Sequence, residues 1–103
     1  MLSLPELKYC SYRKGRLAYR EAGVGPTLFL LHGMNGGSQS WEYLFQSLAN
    51  SFRIVAWDAP GFGESDVFGD SVEDFKDAAL ALMDSLKVNN AILIGHSMGG
   101  VVA

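Results

Sequence analysis

Only one cysteine, Cys10, stands among the 103 residues. That excludes an internal disulfide and any multi-thiolate metal site, and it fits a reducing compartment. Cys10 itself reads as a small apolar residue on a strand. The two histidines, His32 and His96, lie far apart in the chain, so no metal centre is expected, and the chemistry read from the motifs below needs no cofactor. A basic stripe is also missing: 8 Lys and Arg are scattered among 11 Asp and Glu, for a formal charge of -3. Phosphate backbones are offered no electrostatic footprint, and nucleic acid is not an expected partner. No apolar run approaches the roughly 20 residues that span a bilayer, and MLSLPELKYC has no basic segment followed by a long apolar one. A cytoplasmic protein without membrane contact is expected. Internal repeats, linkers and low-complexity tracts are absent as well.

An apolar share of 49% with 12% aromatics is enough to build a core for one domain. Residues 7–22, LKYCSYRKGRLAYREA, hold two strand-compatible runs split at Lys14-Gly15, which predicts a hairpin. TLFLL follows, an unbroken apolar run too short for a helix and suited to a strand buried on both faces. After HGMNGGS, Ser40 is the expected cap of a helix whose Trp41, Leu44, Phe45 and Leu48 recur at helical spacing, with Asn50 as its stop. RIVAW, residues 53–57, is the next strand. Ser71 and Asp74 resemble a capping box opening a second helix with Val72, Phe75, Ala79, Leu82 and Leu86 as its apolar stripe. Asn89-Asn90 tolerates the left-handed conformation that ends helices, and the strand AILI comes next. Strands alternating with helices need crossovers, so the expected fold is α/β with a mostly parallel sheet.

Ligands of such sheets bind beyond the carboxyl ends of the strands. Glycine-rich turns stand at three of those ends: HGMNGG, DAPGFGES and GHSMGG. Two chemistries compete for the last. Gly95 and Gly100 have the spacing of a phosphate-binding loop, but the Lys and Ser/Thr that would follow are Val101 and Val102, so the charge and the Mg²⁺ ligand are missing. The alternative is nucleophilic catalysis. Gly95-His96-Ser97-Met98-Gly99 matches G-x-S-x-G, in which a tight strand-to-helix turn lifts the serine hydroxyl above the sheet. Glycines two positions either side remove Cβ atoms from the bend, and the helix that follows points its N-terminus at an anion forming on a carbonyl. A serine that only caps a helix is the plainer reading of the same residues.

Ser97 needs a base, an orienting acid and oxyanion donors. Donors are available as the backbone N–H groups of Met34, after His32-Gly33, and of Met98. His32 is placed to brace that loop rather than to act as base, and His96 adjoins Ser97 in an elbow that sends neighbouring side chains apart. No triad assembles from these residues. Trp41, Phe62 and Met34 read either as pocket wall or as packing residues, the latter being the commoner role for such side chains.

LLHGMNGG at 30–37, DAPGFGESD at 58–66 and GHSMGG at 95–100, in this order, resemble the N-terminal part of the α/β-hydrolase fold family. The likeness runs from the hairpin onward, and is closest to the branch of carboxylesterases, enol-lactonases and carbon-carbon bond hydrolases. Serine at 97 separates it from the dehalogenase and epoxide hydrolase branches, which use aspartate. The resemblance implies Ser97 as nucleophile, Met34 and Met98 as oxyanion donors, and His32, Gly33, Gly95, His96 and Gly99 as supporting residues. Asp58 matches the family's turn after the fourth strand and is expected to be structural; no catalytic role is expected for Asp58, Glu64 or Asp66. The family's acid and base come later in the chain order Ser, Asp/Glu, His. Residues 1–103 are therefore expected to be one part of a single domain, hydrolysing an ester or lactone when complete and inactive alone. A non-catalytic half-fold that binds a small molecule or partner chain is the alternative. AILI should have one open side, which invites self-association through residues 91–94.

Overall fold

The computed structural model describes residues 4–34, 36–96 and 98–102. Five strands form one mixed sheet: β1 (Lys8–Tyr12), β2 (Gly15–Ala22), β3 (Thr27–Leu31), β4 (Arg53–Trp57) and β5 (Ala91–Gly95). Their order is β1-β2-β4-β3-β5. β3 is parallel to both neighbours, with Phe29 opposite Val55 on one side and Leu93 on the other. The hairpin joins antiparallel through β2, where Tyr19 faces Trp57. The parallel part expected from the sequence is thus β4-β3-β5, and β2 makes the whole sheet mixed.

The hairpin turn is Arg13-Lys14 rather than Lys14-Gly15. Arg13 takes φ 52°, and Gly15 already belongs to β2.

Alternation along β3 and β4 separates two apolar layers. Leu28, Leu30, Ile54 and Ala56 meet Phe45 of helix α1 (Glu42–Leu48) on one face. On the other, Phe29, Leu31, Val55 and Trp57 meet Phe75, Ala78, Ala79 and Leu82 of α2 (Val72–Ser85). Both strands are buried on both faces, which explains their unbroken apolar runs. The Phe29 and Trp57 rings meet edge to face at 6.0 Å, a favoured arrangement of ring quadrupoles.

Three local expectations are corrected. Ser40 does not cap α1. It lies in a 3-10 turn, Ser38–Trp41, where its Oγ accepts the Gly37 N–H at 3.1 Å, and Trp41 is the residue before α1. The helix ends at Leu48 with Ala49 as C-cap, ahead of Asn50. Val72 is not part of the α2 stripe: at the first helical position it is 48% exposed, and the fully buried Ala78 takes its place.

The left-handed residue that ends α2 is Lys87, φ 58°, not Asn89 or Asn90. The Val88 N–H donates to Met83 O (2.9 Å) and the Lys87 N–H to Asp84 O (3.1 Å). These are the two bonds of a Schellman stop. Burial of Val88 against the core fixes the reversal there, before the asparagines are reached.

The α2 capping box forms as read. Ser71 Oγ accepts the Asp74 N–H at 3.1 Å, and Asp74 Oδ2 accepts the Ser71 N–H at 3.2 Å and its hydroxyl at 2.8 Å. The Ser71 hydroxyl, then its N–H, hold the Asp74 carboxyl below its ordinary pKa. A lowered carboxylate pKa stabilises the fold above the ordinary value, and that contribution is lost as pH falls through the lowered one.

Among the described residues no helix is long and apolar enough to cross a membrane.

Candidate functional site

β3 runs into α1 on one face of the sheet. β5 runs into a short helix, α3 (Met98–Val102), which meets α2 and places Val102 against the core of the opposite face. Neighbouring strands whose connections leave on opposite sides open a crevice between their carboxyl ends. A cleft of about 500 Å³ occupies that position, lined by His32, Gly33, Met34, Gly36, Ser40, Trp41 and His96.

One wall is the loop after β3. His32 is buried at its base. Its Nε2 accepts the Ala59 N–H at 2.9 Å, and its Nδ1 lies 2.7 Å from Gly33 O. A backbone N–H can only donate, so Nε2 carries the lone pair and Nδ1 carries the proton that goes to Gly33 O. Both ring nitrogens are engaged in holding two loops together, which leaves His32 none to act as a base.

Asp58 makes a second clamp between the same loops. It is 2% exposed; Oδ1 accepts the Ser38 N–H at 2.6 Å and Oδ2 the Glu64 N–H at 3.1 Å. Its backbone is tied too. The Asp58 N–H reaches Ala18 O at 2.8 Å, while Ser65 Oγ donates to Asp58 O and accepts the Ala18 N–H. Gly63 explains part of the DAPGFGES pattern: its φ is +52°, and a Cβ there would overlap the Asp58 carboxylate. The Ser38 hydroxyl accepts from Arg20 Nε at 3.0 Å, and Arg20 Nη1 donates to Pro5 O at 2.7 Å. β2, the loop after β3 and the loop after β4 are therefore one hydrogen-bonded unit.

The opposite wall is the end of β5. The His96 N–H donates to Leu31 O at 3.0 Å and its carbonyl accepts the Gly99 N–H at 3.0 Å, so the chain bends sharply while still joined to β3. The glycines are required by contact. A Cβ on Gly95 would overlap Gly99 O, and one on Gly99 would overlap Leu31 O. This is the close backbone approach for which G-x-S-x-G spacing selects.

His32, Gly33, Met34 and His96 come together around one cleft, and Gly95 and Gly99 shape the bend beside it. Met34 is 65% exposed at the rim. Met98 opens α3. Ser97 lies outside the described residues. His96 lines the cleft, and among the described residues no carboxylate hydrogen-bonds its ring. Trp41 lines the cleft and also packs on the α1 layer. Phe62 is a packing residue, edge-on to His32 at 5.3 Å and to Phe75 at 6.4 Å. Asp66 serves the hairpin instead, where its Oδ2 accepts the Arg16 N–H at 2.9 Å.

Sequence reasoning missed Ser40 and Gly36 in the lining, and the Arg20-Ser38-Asp58 chain of bonds. The one signal in the sequence was the glycine at position 63, where a Cβ would meet the Asp58 carboxylate.

Residues 26–103 match the model of the alpha/beta hydrolase fold family. The chain belongs to the α/β-hydrolase fold family. Among curated members, the 2-hydroxy-6-oxo-6-phenylhexa-2,4-dienoate hydrolase of Comamonas testosteroni is 35% identical over 92 residues, 82% of this chain and 32% of the relative. Among solved structures, E-2-(acetamidomethylene)succinate hydrolase superposes with TM-score 0.87 at 31% identity, over 94% of this chain and 37% of that one. An N-acyl homoserine lactonase complexed with N-butanoyl homoserine superposes with TM-score 0.87 at 28% identity, over 94% and 38%. This α/β-hydrolase chain thus spans about a third of the length of the relatives it matches.

Proposed function

We propose that this chain carries the nucleophile and oxyanion part of a serine hydrolase acting on a carboxylic ester or lactone. The observation that carries the reading is the cleft between the ends of β3 and β5, with His32-Gly33-Met34 on one wall and His96, the neighbour of Ser97, on the other. In the proposed step the Ser97 hydroxyl adds to the substrate carbonyl, and the Met34 and Met98 N–H groups stabilise the oxyanion. Collapse expels the alcohol, which leaves with the serine proton. Water then adds to the acyl-serine, releasing the acid and restoring the hydroxyl. A lactone yields a hydroxy acid by the same two steps. The names of these three relatives, hydrolases of a dienoate, of a succinate derivative and of an acyl lactone, fit a carbonyl substrate.

Base and acid are not supplied by the described residues: His32 spends both ring nitrogens on the loops, and no described carboxylate orients His96. The chain alone is therefore expected to turn over p-nitrophenyl esters no faster than its Ser97→Ala variant. Adding the remaining two-thirds of a longer relative as a separate polypeptide should produce hydrolysis that Ser97→Ala abolishes. Hydrolysis that survives Ser97→Ala would overturn the proposal. Ligand binding that survives it, with no turnover under any pairing, would favour the non-catalytic alternative.

A further inference from the structure

We propose that His32 is a positioning residue that fixes the plane of the Gly33–Met34 peptide and so aims the Met34 N–H, with the loop after β4 setting the tautomer it needs to do so. The use of that N–H as an oxyanion donor rests on the function proposed above; the orientation of the peptide does not.

The Gly33–Met34 peptide is trans, so its C=O and N–H point opposite ways. Whatever fixes the Gly33 carbonyl therefore aims the Met34 N–H. Two donors converge on that carbonyl: the Gly36 N–H at 3.0 Å, which closes a turn across Met34, and His32 Nδ1 at 2.7 Å. Such a turn makes no use of the N–H of its second residue, and among the described residues the Met34 N–H meets no acceptor. Gly33 and Met34 both line the cleft. Gly33 has no Cβ to oppose rotation of the peptide, so the Gly36 bond holds it at one point and the imidazole adds the second. Turned over, the peptide would offer the cleft a carbonyl oxygen in place of a donor, and repel a developing oxyanion.

Nδ1 can serve only while it carries the proton of the neutral ring, which has one donor and one acceptor nitrogen. The Ala59 N–H, 2.9 Å from Nε2, claims the acceptor. Phe62, edge-on at 5.3 Å, packs the ring from the same loop. His32 is 1% exposed, so bulk water offers neither nitrogen a substitute partner. A backbone amide of the DAPGFGES loop thus decides which ring nitrogen faces Gly33 as a donor, and through it which way the Met34 N–H points.

Nuclear magnetic resonance of the chain tests it. In the wild type the His32 ring should carry its proton on Nδ1, and the residual dipolar coupling of the Met34 N–H should match the orientation in the structure. His32→Asn keeps an N–H donor at the Nδ1 position and loses the acceptor for Ala59. His32→Gln places an amide oxygen near the Ala59 N–H and loses the donor to Gly33. Measured against the couplings of β3, the Met34 coupling should survive in His32→Asn and change in His32→Gln, with dispersed amide spectra as the check on folding. Three results would each overturn the proposal: a wild-type ring protonated on Nε2; a Met34 coupling in His32→Gln equal to that of the wild type; or a change as large in His32→Asn, which marks the ring as packing only. Hydrolysis separates this from the function it rests on. With the chain paired with the remaining two-thirds of a longer relative, kcat should be about 100-fold lower in His32→Gln than in His32→Asn at similar KM, the effect of losing one oxyanion donor. Equal kcat values overturn the positioning role and leave the hydrolase reading standing. Couplings that respond as expected, with no serine-dependent hydrolysis in any pairing, uphold the role of His32 and overturn that reading.

Discussion

β1 and β5 flank the same sheet with five residues each, and differ in what lies against them. β1 is half of a hairpin. Its Cys10 is buried with Leu17 and Tyr19 in the α2 layer, and Lys8 stands 3.8 Å from Glu21. β5 has no buried residue and no charge, although it is the strand that leads into the bend beside the cleft. Its position is set almost wholly from one side, by β3, and by the glycine contacts of α3 on the Leu31 carbonyl. The cleft accordingly has one wall clamped by a dense polar network and another held by a strand with few side-chain contacts. Preorganisation of the proposed oxyanion site would rest on both walls.

Cutting into the clamped side should cost most. Phe29→Ala empties a fully buried position between β4 and β5 and removes the ring facing Trp57. Loss of about 3–5 kcal/mol is expected, read as a fall in the urea midpoint and a larger unfolded fraction at rest. Asp58→Asn keeps the size of the side chain but turns one of two acceptor oxygens into a donor facing an N–H. About 2–3 kcal/mol should be lost, together with faster hydrogen exchange at the Ser38 and Glu64 amides than at those of β3. Uniform exchange across the chain would show that Asp58 does not act locally on the cleft wall. Ile92→Ala, by contrast, is a large apolar truncation that should change stability by no more than about 0.5 kcal/mol. A loss comparable to that of Phe29→Ala would mean β5 is as firmly packed as β3, and the contrast between the two sides would fail.

Much of this was legible in the residues. TLFLL and RIVAW were readable as doubly buried strands because both faces must be apolar when helices cover both. The Ser71 and Asp74 box was readable because its partners are three residues apart and need no tertiary context. Ser40 was misread because its hydroxyl had a nearer N–H, that of Gly37, inside a 3-10 turn. The end of α2 was misplaced because burial of Val88 outranked the intrinsic tolerance of asparagine.

By itself the sequence determined the alternation of strands and helices, the bend at Gly95 and Gly99, and the family, since these depend on local spacing and on where Cβ atoms are missing. Only the tertiary structure decided that His32 is spent on Ala59, that Arg20 reaches Ser38, and that Asp58 joins Ser38 to Glu64. Those partners are separated by many residues along the chain, and no local pattern records which buried donor will meet which acceptor once the loops close.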